Sequence, residues 1–74
     1  MFKYEQTSKA GPVYITHDNR YIGTLYTRKF GQPITPYVEL GMNVTLSIEE
    51  LVELSKFCNN VVSEIEVNLT NEKV

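Results

Sequence analysis

The chain has 74 residues, 42% hydrophobic and 22% charged, with a formal net charge of −2, which is enough for a single domain (1–74) with one small core and excludes a disordered composition. One cysteine excludes an internal disulfide, and no zinc-type Cys/His spacing exists, so no metal site is expected and added stability would come from oligomerisation, favouring a homodimer. The charge is divided unevenly: residues 1–36 carry five cations against two acids, whereas residues 37–74 carry two cations against seven acids.

The first two-fifths of the chain reads as strands. "FKYEQTSK" alternates Phe2 and Tyr4 with polar neighbours until "AGP" breaks it at 10–12. "VYITH" puts Val13 and Ile15 on one face and Tyr14 and Thr16 on the other, and "DNR" at 18–20 supplies the chemistry of a hairpin turn. In "YIGTLYTRKF" the period of two is imperfect, and Gly23 predicts a bulge that brings Ile22 and Leu25 to the same side. Pro33 and Pro36 make "GQPITP" at 31–36 read as a connection. The next strand is expected over 37–46, where Val38, Leu40, Met42, Val44 and Leu46 alternate with less apolar residues.

At "VTLSIEELVELSKFC" the period changes from that of a strand to that of a helix. Ser47 followed three residues later by Glu50 is a capping box, and Leu46 with Leu51 can form a hydrophobic staple. Leu51, Leu54, Cys58, Val61, Val62 and Ile65 then recur at spacings of three and four. Phe57 lies off this stripe, and either packs on a sheet edge or belongs to a dimer interface. Asn59 and Asn60 are weak helix formers, and "NLTNEKV" reads as a frayed tail. The predicted fold is α+β: a four-stranded antiparallel sheet over about 2–46 and one C-terminal helix over about 48–66 packed on one face.

No cluster in the chain announces catalysis, and no cofactor is implied. His17 is the only histidine and sits beside Asp18 in a turn; Cys58 falls on the apolar stripe, where a small buried hydrophobe is the expected role. Glu49, Glu50 and Glu53 crowd a helix start, where capping explains two of them, and no glycine-rich phosphate loop is present. No apolar run is long enough for a membrane span and no signal peptide opens the chain, so a cytoplasmic location is expected. What remains is aromatic and basic content: seven of the eight aromatics precede residue 38, interleaved with the five N-terminal cations. Cations that follow phosphates and rings that stack on bases are how single-stranded nucleic acid is held.

In this order of elements, and in "NVTLSIEELVEL", the chain resembles the positive-cofactor-four family of single-stranded DNA-binding transcriptional coactivators, whose fold the plant Whirly proteins share. The likeness runs from about residue 11 to residue 65. The resemblance implies dimers whose strands form the nucleic-acid surface, with Arg28, Lys29 and Phe30 at binding positions, Arg20 in the hairpin, and Tyr26 as a neighbouring aromatic. The chain differs from the family where Glu39 and Leu40 replace a basic pair and Leu51 replaces a tryptophan.

Two functions are therefore expected from different classes. One is single-stranded nucleic-acid binding, in transcription or replication, through Arg20, Tyr26, Arg28, Lys29 and Phe30. The other is a small protein-interaction module, such as a viral or regulatory inhibitor that engages a protein through its sheet face or acidic helix. The placement of charge separates them: a continuous basic strand face favours nucleic acid, scattered cations a protein target.

Overall fold

The computed structural model describes residues 1–8, 11–30 and 32–72, with side chains through Val67. The expected break at Ala10, the glycine that opens 31–36 and the side chains of the expected tail from Asn68 onward lie outside the described residues. Strands β1 (Phe2–Gln6), β2 (Val13–His17), β3 (Arg20–Lys29) and β4 (Gln32–Leu40) precede helix α1 (Ile48–Glu72). The strands pair antiparallel in chain order, β1-β2-β3-β4, and the helix packs on one face, giving the α+β arrangement that the pattern predicts.

The β2–β3 hairpin turns through Asp18 and Asn19, at φ 52° and 66°, with His17 paired to Arg20. Short polar side chains tolerate the left-handed region that a two-residue hairpin turn requires. Two residues later the predicted bulge is present. Ile15 pairs with Gly23 and Thr16 with Tyr21, leaving Ile22 as the extra residue, so Ile22 and Leu25 both enter the core. Gly23 is needed at this place because a Cβ there would lie 2.9 Å from the Glu39 carbonyl oxygen of the adjacent strand.

The last strand is displaced from its expected position. β4 begins at Gln32, includes both Pro33 and Pro36, and ends at Leu40 rather than continuing to residue 46. The reason is its place at the sheet edge, where one side of the backbone has no strand neighbour and prolines are admitted. Its pairing with β3 is irregular between Tyr26 and Arg28, the stretch opposite Pro36. Beyond Leu40 the Gly41 amide donates to the Ile22 carbonyl at 2.9 Å, and Asn43 at φ 62° turns the chain toward the helix. The alternation over 42–46 reflects which side chains turn inward, since Val44 and Leu46 still pack on the core while Met42 is exposed.

The capping box forms as read: the Ser47 amide donates to Glu50 Oε1 at 2.9 Å, and the Glu50 amide donates to Ser47 Oγ at 3.1 Å. From that cap α1 runs past Asn59 and Asn60 to Glu72, beyond the end expected near 66, because no glycine or proline interrupts it. Leu54, Cys58, Val61 and Ile65 pack on Val13, Ile15, Ile22 and Leu25, each full burial of a large aliphatic contributing about 1.5–3 kcal/mol. Phe57 packs within the chain over the edge strand β1, its ring centroid 5.8 Å from Phe2 and 6.1 Å from Tyr4. The Tyr4 hydroxyl donates to Glu64 Oε2 at 2.8 Å, tying the same edge to the helix. Among the described residues, no helix is long and apolar enough to cross a membrane.

Candidate functional site

With α1 covering one face, the period of two places the polar-side residues of every strand on the other. Two neighbouring rungs define this open face. Glu5 pairs with Tyr14, Tyr14 with Thr24 and Thr24 with Glu39, one line across all four strands. Tyr26 pairs with Tyr37 beside it, and their rings stack with centroids 5.1 Å apart at 26°. Lys3, Thr16 and Tyr21 form the rung on the other side.

The tyrosines make a continuous layer. Tyr14, Tyr21 and Tyr37 remain 40%, 49% and 52% exposed, yet Thr24 in their midst is only 5% exposed. The Tyr21 and Thr24 hydroxyls share a hydrogen bond, which fixes the Tyr21 ring against the sheet. Partial burial, then Glu39 and the other three tyrosines, raise the Tyr26 phenol above its ordinary pKa. By register this face carries Lys3 against Glu5 and Glu39, and among the described residues neither carboxylate has an ion-pair partner.

The residues expected to hold nucleic acid divide between two places. Tyr26, Arg28, Lys29 and Phe30 come together around a cavity of about 360 Å³ at the β3–β4 hairpin end, with Tyr37 and Ile34 also lining it. Arg20 lies at the opposite end of β3 and lines a separate cavity of about 150 Å³ with His17 and Glu50. Around the first cavity the cations are engaged differently. The Arg28 guanidinium is largely buried and 3.9 Å from the Glu66 carboxylate, whereas the exposed Lys29 holds its Nζ 6.0 Å from the centre of the Phe30 ring. Phe30 is 93% exposed at φ 52°, a conformation that costs a non-glycine residue about 1–2 kcal/mol.

The groups weighed for catalysis lie apart. The His17 ring packs at a tilt against Phe2, centroids 4.5 Å apart, with Nδ1 3.6 Å from the Asp18 carboxylate. Cys58 is buried on the inner face of the helix, and that burial raises its thiol pKa. No group of three or more His, Cys, Asp or Glu able to hold a metal ion occurs among the described residues.

Residue type alone does not mark Tyr14, Tyr21 and Tyr37 as one site, because tyrosines are ordinary strand formers. The signal that finds them is the alternation itself: Tyr14 falls opposite Val13 and Ile15, and the Ile22–Gly23 bulge restores Tyr21, Thr24 and Tyr26 to one side. Comparison with family models, with curated proteins and with solved structures finds no match.

Proposed function

We propose that this chain is a small protein-interaction module whose working surface is the open, tyrosine-covered face of the sheet. The observation that carries the reading is the layer of Tyr14, Tyr21, Tyr26 and Tyr37 on a face that no other element covers among the described residues. Tyrosine is favoured at protein interfaces because it offers a large, stiff apolar ring with a hydroxyl at its rim, and so loses little conformational entropy on contact. The distribution of cations supports the same choice: Lys3, Arg20 and Lys29 are spread over the rim of the sheet and Arg28 faces Glu66. A protein target of this kind fits the inhibitor-like class, and no step of the reading needs a catalytic group.

The test is affinity capture from the source cells with the wild-type chain, a Tyr14→Ser/Tyr37→Ser variant, and a Val67→Ser variant on the exposed helix surface. The expected result is a protein retained by the wild type and by the helix variant, lost with the double variant, and insensitive to nuclease. Capture that nuclease abolishes, or that the double variant retains in full, contradicts the reading.

A second reading rests on the hairpin end alone. Phe30 gains no burial from its strained position, and it stands beside Lys29 and the Tyr26–Tyr37 stack around one cavity. Bases stacked on these rings, with Lys29 on a phosphate, would give single-stranded nucleic-acid binding of small footprint. Titration of a labelled oligothymidine at low salt decides it: binding lost on Lys29→Ala and Phe30→Ala supports this reading, and no binding at tens of micromolar removes it.

A further inference from the structure

We propose that the partner segment received by this face is basic, with an arginine or lysine side chain lying on the exposed Tyr37 ring of the Tyr26–Tyr37 stack and Glu39 serving as its counter-charge. This deepens the protein-interaction reading and rests on it.

Three features of the face select a cation. The rings of Tyr26 and Tyr37 stack on each other with centroids 5.1 Å apart at 26°, so the π-face left to attract a positive charge is the outer face of the half-exposed Tyr37 ring. Glu39 stands two residues beyond Tyr37 on β4, and residues so spaced on a strand share a face. At the far side of the same rung, Glu5 adds a second carboxylate across from Tyr14. Both acids are exposed, and neither has an ion-pair partner among the described residues.

The same arrangement discriminates against phosphate. A nucleic-acid strand laid over Tyr14 and Tyr37 would bring its backbone toward Glu5 and Glu39, with Lys3 at the β1 edge and Lys29 at the hairpin end as the cations beside that path among the described residues. A guanidinium or ammonium at Tyr37 meets the opposite situation. Its charge is attracted by the neighbouring Glu39, its flat or alkyl part covers the ring, and the tyrosine hydroxyls offer acceptors to its N–H groups. Arginine suits this ring better than lysine, because its planar guanidinium can stack on a ring while also donating to a carboxylate.

The chain contains five tyrosines and no tryptophan, so tyrosine emission reports mainly on this surface; four of the five lie on it and Tyr4 lies on the helix side of the β1 edge. The probe is a short amidated Gly/Arg peptide, with its Gly/Glu counterpart and an oligothymidine of similar length for comparison. The expected result is a saturable change in emission with the Arg peptide that weakens as salt rises. Tyr37→Ala and Glu39→Gln should each weaken that binding by about fivefold, the size of an exposed cation–π or surface charge contact. Circular dichroism of the two surface variants verifies that they remain folded. The inference is overturned if the Arg peptide leaves the emission unchanged at millimolar concentration, if the Glu peptide or the oligothymidine binds as well, or if neither substitution weakens binding. Failure of the peptide with face-dependent protein capture intact would overturn this inference alone; loss of that capture overturns the module reading beneath it.

Discussion

Replacing Gly23 by alanine tests how the sheet that presents the tyrosines is held together. The new Cβ would lie 2.9 Å from the Glu39 carbonyl oxygen and 3.3 Å from Leu40 Cα, where ordinary contact begins at 3.4 Å. Both obstacles are backbone atoms of β4, so no side-chain rotation relieves them and the edge strand itself must yield. Overpacking of this kind costs about 1–3 kcal/mol. Against it stands a gain of about 0.4–1 kcal/mol from the smaller freedom of alanine in the unfolded chain. The net expectation is a loss of about 1–2 kcal/mol, which in a domain of this size lowers the melting temperature by about 5–15 °C. Gly41→Ala is the matched control, because its nearest neighbours are side-chain atoms at ordinary contact, Tyr21 Cε2 at 3.4 Å and Val44 Cγ2 at 3.5 Å. Urea unfolding followed by circular dichroism should show Gly23→Ala destabilised with an unchanged denaturant slope, and Gly41→Ala close to wild type. Equal stability of Gly23→Ala and wild type, or a larger loss at Gly41, would refute the close approach of β3 and β4.

Ser47→Ala should lower stability by about 1 kcal/mol in the same assay, since it removes the acceptor for the Glu50 amide. The Ser47 backbone amide, then its side chain, hold the Glu50 carboxyl below its usual range, so this stabilisation is present above the unfolded-state pKa and is lost as pH falls through the lower folded value; an acid titration of helicity should show that sign, and Glu50→Gln should remove it. Tyr4 titrates late because its hydrogen bond to Glu64 leads the upward shift, so stability from this contact is complete below the unfolded-state pKa and fades as pH rises through the folded one, and Tyr4→Phe should abolish that alkaline component in a phenolate absorbance titration. Cys58, buried against the sheet, should react slowly with a thiol reagent in the native state and at the free-thiol rate in urea; fast native reaction would contradict its burial. Phe30→Asn should raise stability by up to about 1 kcal/mol, because asparagine accepts the left-handed backbone that phenylalanine adopts there without burial in return.

The parts of the fold written in local chemistry were legible from the sequence. Asp18–Asn19 marks a turn by its side chains, Gly23 marks the bulge, and Ser47 with Glu50 marks the helix start, each through contacts within a few residues. What depends on strand order was not legible. Pro33 and Pro36 argue against a strand interior, and only the edge position of β4 makes room for them. Phe57 shows the same limit: its place off the helical stripe is visible in the spacing, but the partner that covers it, Phe2 of the other edge strand, lies 55 residues away. The tyrosine face is visible in the sequence as aromatic content and not as a site. Tyr14, Tyr26 and Tyr37 become neighbours through register across three strands, and the same register brings Glu5 and Glu39, which composition by halves had assigned to opposite ends of a charge gradient, onto one face.

The measurement that bears most directly on the tyrosine face is an NMR titration of the chain labelled with ¹³C in its tyrosine rings, on addition of the captured protein partner. Tyr4 serves as the internal reference, since it lies at the sheet edge on the side that the helix packs against, its ring against Phe57 and its hydroxyl on Glu64. Ring signals of Tyr14, Tyr21, Tyr26 and Tyr37 should shift or broaden together while those of Tyr4 stay in place. Movement confined to Tyr4, or a partner that binds with the four sheet-face tyrosines unperturbed, would contradict the account.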